Sequence, residues 1–193
     1  MQKGQIRIIG GEWRGRKIKV PDIQDLRPTP DRVRETLFNW LSNIVPGAYC
    51  LDAFAGSGAL GFEALSRGAK HVVMVDASLE VVSLLKEELV VFKSDRADVY
   101  RANLPQQLKT PTHKFDIVFL DPPFSQNLLF PCCFYLEEHG FLADEAYIYI
   151  ESGKILEETS LPENWKIVKS KKAGQVAYHL VQRTTISLLA RDL

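Results

Sequence analysis

From residue 49 onward short apolar runs alternate with amphipathic segments, and this alternation restricts the chain to an α/β fold. The runs YCLDAF (49–54), HVVMVD (71–76), ADVYRA (97–102), FDIVFLD (115–121) and AYIYIES (146–152) predict strands, and the segments 59–67, 79–93 and 127–139 between them predict helices. Strands separated by helices pair in parallel through right-handed crossovers. The stretch WKIVKSKKAGQVAYHLVQR (165–183) breaks the alternation, because its two runs flank Ala173 and Gly174 directly and predict an antiparallel hairpin at one sheet edge. A second hairpin is expected at residues 5–20, where Ile6, Ile8, Ile18 and Val20 alternate with Arg and Lys around a Gly-containing turn. Pro21, Pro28 and Pro30 punctuate the next segment. Asp31 is expected to cap a helix carrying Val33, Leu37, Phe38, Trp40 and Leu41, which Pro46 and Gly47 close. The expected organisation is a basic hairpin over residues 1–22 and one catalytic domain over 23–193.

The formal net charge of the 193 residues is zero, so total charge points to no partner; its distribution does. Residues 1–34 carry nine Lys or Arg against four acids, which leaves +5 on this end and −5 on the rest. A basic arm on a neutral body is one way to hold phosphates, and Arg7, Arg14, Arg16 and Lys17 are the residues expected to touch nucleic acid. Trp13, set among these arginines, is balanced between RNA contact and turn packing, whereas Trp40, Phe38 and Trp165 read as packing residues. Cys50, Cys132 and Cys133 lack the spacing of zinc ligands, and the four histidines form no helical pair, so no metal is expected. No stretch approaches the roughly 20 apolar residues that span a bilayer, which leads to the expectation of a cytoplasmic protein with no membrane contact.

The first core strand runs directly into Gly56-Ser57-Gly58-Ala59-Leu60-Gly61, and Asp76 ends the next strand. This spacing suits a nucleotide cofactor whose ribose meets the second-strand carboxylate. Asp52 narrows the choice. A carboxylate ahead of the loop opposes a bound pyrophosphate but suits S-adenosylmethionine, which carries an ammonium group and a sulfonium and no phosphate. The competing explanation is a tight turn with Asp52 capping the helix. Asp52, Phe54, Ala55, Gly56, Ser57, Gly58 and Asp76 are the expected cofactor contacts of this region.

The fourth core strand ends in Asp121-Pro122-Pro123-Phe124. An exocyclic amino group on a nucleobase has its lone pair delocalised into the ring, so its methylation needs hydrogen-bond acceptors aimed at the N–H protons. The Asp121 carboxylate and the Pro122 carbonyl supply two, the prolines restrict the backbone that aims them, and Phe124 offers a stacking face. No strong general base is needed, because the proton leaves after transfer, when the nitrogen has become acidic.

Taken together, LDAFAGSGALGFEALSRGA (51–69), FLDPPF (119–124), RIIGGEWRGRKIKVP (7–21), LRPTPDRVRETLFNWL (26–41) and AGQVAYHLVQR (173–183) resemble the class I methyltransferases, and among them the bacterial small-subunit ribosomal RNA guanine-N2 methyltransferases of the RsmD type. The resemblance implies a Rossmann-like, mostly parallel seven-stranded sheet with an antiparallel C-terminal edge hairpin. It also implies methylation of N2 of a guanine in 16S RNA, a small-subunit assembly intermediate as partner, and action as a monomer. LRPTPDRVRE is then expected over the cofactor, with Thr29 and Arg32 on its side of the pocket. Two positions depart from the family pattern: Asn103 stands where an acidic residue often meets the adenine, and Asp76 replaces a glutamate. The alternatives are a DNA adenine-N6 methyltransferase, which commonly carries a target-recognition region for which this chain has no room, and a non-catalytic RNA-binding assembly factor.

Overall fold

A computed structural model describes residues 4–20 and 29–185. Pro21, Pro28 and the first residues of the LRPTPDRVRE segment lie outside the described residues, as does the C-terminal extension beyond Thr185. Strands β1 (Gln5–Arg7) and β2 (Lys17–Lys19) form the N-terminal hairpin. The main sheet contains β3 (Tyr49–Asp52), β4 (His71–Asp76), β5 (Ala97–Arg101), β6 (Phe115–Leu120), β7 (Leu142–Ser152), β8 (Trp165–Ala173) and β9 (Val176–Thr184). Its seven strands run in the order β5-β4-β3-β6-β7-β9-β8. The helices are α1 (Asp31–Trp40), α2 (Ala59–Ser66), α3 (Leu79–Phe92) and α4 (Leu129–Glu138).

The chain divides into two compact units, residues 1–103 and 104–193. In the first, β3 pairs in parallel with β4 and β4 with β5. The core strands are short apolar runs because both sheet faces are covered: Cys50, Leu51, Val72, Met74 and Val75 are fully buried. Helix α2 is buried along its whole length, including Glu63. In the second unit β6 and β7 are parallel, while β7, β9 and β8 pair antiparallel, as expected from the alternating run around Gly174. Trp165 is buried there, and its indole N–H donates to Glu137 Oε2 at 2.8 Å.

The N-terminal hairpin shares the core of the first unit. Ile6, Ile8, Trp13 and Ile18 are buried, and the Trp13 ring lies 4.8 Å from Phe92 and 6.4 Å from Phe62. Trp13 is thus a packing residue, and its backbone N–H donates to Ser66 Oγ at 2.9 Å. Glu63 anchors the turn: its two carboxylate oxygens accept the backbone N–H of Ile9 at 2.9 Å and of Gly10 at 2.8 Å. The same carboxylate accepts from Arg67 Nε at 2.7 Å and faces Arg34 at 3.6 Å, with Arg34 and Glu63 both inaccessible to solvent.

Helix α1 differs from expectation at both ends. Pro30 occupies the cap position, so Asp31 is the first helical residue and its carboxylate accepts from Arg34 at 2.6 Å instead of capping. A proline fits ahead of a helix because its missing N–H is not needed there. The helix ends at Trp40, and turns carry the chain to Gly47, whose positive φ reverses it. Trp40 is only half-buried.

Candidate active site

In the first unit the glycine loop connects the carboxyl end of β3 to α2. Ala55 N–H donates to Val75 O and Gly58 N–H to Ala55 O, which draws the loop tightly across the end of β4. Gly58 has φ +75°, and a Cβ there would fall 2.5 Å from Leu85 and 2.9 Å from Phe62. At Gly61 a Cβ would fall 2.7 Å from Met74 Sδ. Only glycine lets the helix descend this closely onto the strand.

Two carboxylates hold the loop in shape. Asp76, half-buried at the end of β4, accepts from Gly56 N–H at 3.0 Å through one oxygen and from Ser78 N–H at 2.8 Å through the other. Asp52, 3% exposed, accepts from Gly61 N–H at 2.9 Å. Burial pushes its carboxyl up to about 7; the Gly61 hydrogen bond pulls the other way, and the nearby Asp76 raises it further. Asp52 therefore serves the turn, as the competing explanation had it, yet near neutrality it is only partly ionised and a neighbouring cation would complete its ionisation.

That property sets a pH dependence. A cationic ligand beside Asp52 favours the carboxylate and lowers its pKa, so binding near pH 7 releases a proton and tightens as pH rises through about 7. Calorimetric titration with S-adenosylmethionine at pH 6 and pH 8 should show tighter binding at the higher pH, and Asp52→Asn should abolish that part of the dependence. Identical pH profiles for the two proteins would place the cation elsewhere.

Of the other expected cofactor contacts, Phe54 and Gly56 are half-buried and Ala55, Ser57 and Gly58 buried within the loop; Thr29 is buried ahead of α1. Arg32 is exposed on the first turn of α1, and Asn103 is exposed just beyond β5.

The second unit holds the Asp-Pro-Pro-Phe segment at the carboxyl end of β6. Asp121 is half-buried, Pro122 buried, and Pro123 exposed. Pro123 has φ −54° and ψ 122°, which turns the chain into a single helical turn at Phe124–Gln126 and leaves the Phe124 ring 51% exposed. An aromatic that open, beside a carboxylate and a carbonyl, suits stacking of a planar base.

The basic hairpin residues separate into two kinds. Arg7, Arg14 and Lys17 are exposed and form no ion pair among the described residues. Arg7 and Arg14 line a cleft of about 280 Å³ with Ile8, Ile9, Gly15, Asp31 and Glu35. Arg16 instead lies over the Phe92 ring at 3.8 Å and donates to Val91 O.

Sequence reasoning overlooked the Arg34–Glu63 pair and the buried Glu151. A signal existed for the first: Arg34 falls on the same helical stripe as Leu37, Phe38 and Leu41, and Glu63 interrupts the otherwise apolar α2. Among the described residues no group of three or more His, Cys, Asp or Glu is placed to hold a metal ion, and no helix is long and apolar enough to cross a membrane.

The parallel sheet with its antiparallel edge hairpin, the glycine loop after β3 and the Asp-Pro-Pro-Phe end of β6 define a class I methyltransferase. The comparisons agree. A 16S rRNA N2 G1207 methyltransferase from Thermus thermophilus, solved with S-adenosylmethionine and guanosine, matches 95% of this chain and 50% of its own at a TM-score of 0.68. At 20% identity that likeness is one of fold. A putative methyltransferase from Escherichia coli superposes at a TM-score of 0.85, with 48% identity over 94% of this chain and 99% of its own. The Ribosomal RNA small subunit methyltransferase D of Escherichia coli K12 is 51% identical over 180 residues, 93% of this chain and 91% of that protein. The family model described as Conserved hypothetical protein 95 matches residues 6–182. The chain belongs to this family, that of the small-subunit ribosomal RNA methyltransferases D.

Proposed function

We propose that this enzyme transfers a methyl group from S-adenosylmethionine to N2 of a guanine in small-subunit ribosomal RNA. The observation that carries the reading is the Asp121-Pro122-Pro123-Phe124 segment at the carboxyl end of a parallel strand, with two acceptors and an open aromatic face side by side. The carboxyl ends of parallel strands are where open α/β sheets take their ligands.

The cofactor site suits S-adenosylmethionine in two respects. A loop stripped of Cβ atoms at Gly58 and Gly61 makes a close cradle, and the buried, partly ionised Asp52 calls for a cation. When bound there, S-adenosylmethionine supplies an electrophilic methyl group. Asp76 takes the ribose hydroxyls, Asn103 the adenine edge, and Thr29 and Arg32 close the same side. Phe54, Ala55, Gly56 and Ser57 contribute the rest of the lining. The Asp121 carboxylate and the Pro122 carbonyl accept the N2–H protons, which fixes the orientation of the amino group and stabilises the positive charge that develops on its nitrogen. Phe124 stacks the base, and Pro122 and Pro123 hold the acceptors in line. The proton leaves after transfer.

Arg7, Arg14 and Lys17 dock RNA phosphates. The relatives of this name modify ribosomal RNA of the small subunit, and the same substrate, presented in an assembly intermediate in the cytoplasm to a monomeric enzyme, is the reading for this chain. Tritiated-methyl transfer to naked 16S RNA, DNA and immature small-subunit particles tests it. Label in N2-methylguanine of RNA is the expected result; label in adenine of DNA would move the enzyme to the DNA adenine-N6 class, and none in any substrate would leave a non-catalytic assembly factor.

The arm has its own expected result. Replacing Arg7, Arg14 and Lys17 by alanine should weaken binding of the substrate RNA and flatten its salt dependence by roughly one unit of slope per lost phosphate contact, with cofactor affinity unchanged. Arg16 is left in place because it packs on Phe92. An unchanged slope would show that these side chains are merely solvated.

A further inference from the structure

Glu151 stands near the carboxyl end of β7, is 6% exposed, and has no part in the reaction as described so far. Leu120 of β6 is in register with Ile150 of β7, so the next residue along each chain brings Asp121 beside Glu151. Neighbouring strands lie about 4.8 Å apart, and in-register residues share a sheet face. Tyr149, two residues before Glu151, shares that face too, and Tyr178 of β9 is paired with Glu151 on its other side. The Tyr149 hydroxyl donates to Glu151 Oε1 at 2.8 Å. Burial first, then Glu151, then Asp121 hold this hydroxyl protonated far above the usual phenol range, so it is a fixed donor that orients the carboxylate.

Two adjacent carboxylates in a largely buried place repel each other unless donors are aimed at them. Tyr149 supplies one such donor to Glu151. The stacking surface lies next to the pair. A Cβ built on Gly153, two residues past Glu151 and just beyond β7, would sit 3.9 Å from Phe124 Cδ2, so the chain leaving β7 passes beside the exposed ring. A base resting on Phe124 thus has two neighbouring carboxylates at one edge.

Guanine is the base whose edge presents two adjacent donors of this kind, the ring N1–H and the exocyclic N2 amino group. Adenine presents a lone pair at N1, which a carboxylate rejects. We propose that Glu151 is a specificity-determining residue that accepts the guanine N1–H while Asp121 accepts from N2, with Tyr149 as the positioning residue that holds Glu151 in place. The inference rests on the guanine reading of the preceding subsection and adds the group that reads the base.

The test compares two substrates: an RNA that the unaltered protein methylates, and the same RNA with its target guanine replaced by 2-aminopurine. That analogue keeps the amino group at C2 but carries a lone pair at N1. The unaltered protein should disfavour it on the order of 10⁴-fold in kcat/KM, since a site built around a hydrogen bond rejects the analogue lacking it. Glu151→Gln, whose amide can donate to N1, should lower the rate on guanine, raise it on 2-aminopurine, and shrink the preference by about 10²-fold or more. Losses common to both proteins, such as the missing O6, cancel in that comparison. Glu151→Asp, which keeps the charge but retracts it, should retain the guanine preference at a reduced rate, and unchanged cofactor affinity shows that each variant is folded. If Glu151→Gln slows both substrates in equal proportion, Glu151 is a structural carboxylate and the inference fails while the guanine reading stands. If the unaltered protein forms no N2-methylguanine, both fail together.

Discussion

Asp121→Ala should lower kcat for methyl transfer by about 10²- to 10³-fold while leaving the affinity for S-adenosylmethionine nearly unchanged, the signature of an acceptor that matters more in the transition state than in the ground state. The asymmetry follows from placement. Asp121 stands at the end of β6 in the second unit, whereas the loop, Asp52 and Asp76 that shape the cofactor cradle belong to the first. The residue is half-buried, so its truncation leaves little cavity and the fold should survive. Asp121→Asn keeps one acceptor oxygen and should lie between the two. Single-turnover transfer and equilibrium cofactor titration on the same samples separate the effects. Near-normal turnover by the alanine variant would falsify the catalytic assignment.

Glu63→Ala should cost the protein about 3–5 kcal/mol of stability, although Glu63 touches neither proposed ligand. Its carboxylate is inaccessible to solvent, accepts from Ile9 N–H, Gly10 N–H and Arg67 Nε, and lies 3.6 Å from Nη1 of the buried Arg34. Removal leaves two backbone donors and Arg67 Nε without their acceptor and takes from the buried Arg34 one of its two neighbouring carboxylates, Asp31 remaining at 2.6 Å. Glu63→Gln keeps an acceptor for part of this set and should cost less. Denaturant unfolding followed at Trp13, which packs against Phe62 and Phe92 beside this cluster, reports the loss directly. A midpoint within experimental error of the unaltered protein would mean that the hairpin is held without Glu63, by its apolar contacts and the Ser66 hydrogen bonds.

What the sequence revealed about the fold is what local periodicity can encode. The apolar runs marked β3, β4, β5, β6 and the hairpin strands β8 and β9, and the glycine spacing marked the turn whose close approach to Met74 and Leu85 excludes any side chain. Where periodicity is absent the reading failed. Strand β7 begins at Leu142, four residues before the apolar run, because Leu142 is paired with Phe115 of β6 and Glu145 with Thr184 of β9, not by the preference of the local sequence. Trp13 was undecidable, since its partners Phe62 and Phe92 are brought to it only by the folded chain. The motif residues of the candidate site were legible because each sits at a strand end. Glu151 was hidden by its own strand: in AYIYIES it reads as the polar end of an apolar run, and only the register with β6 brings it beside Asp121.

The clasp at Glu63 also makes helix α2 a measuring rod. Its eight residues span roughly 12 Å at 1.5 Å per residue. One end opens at the glycine loop, whose Gly61 N–H is tied to Asp52; toward the other end Glu63 and Ser66 grip the hairpin through Ile9, Gly10 and Trp13. Helix α2 is buried throughout and is tied at both places by these hydrogen bonds. If the hairpin takes RNA phosphates as proposed, they are held at one offset from the glycine loop. On the proposed function, selection among the guanines of a long RNA is then partly a matter of length, set by the distance between phosphates held at the hairpin and a methyl donor held at the glycine loop.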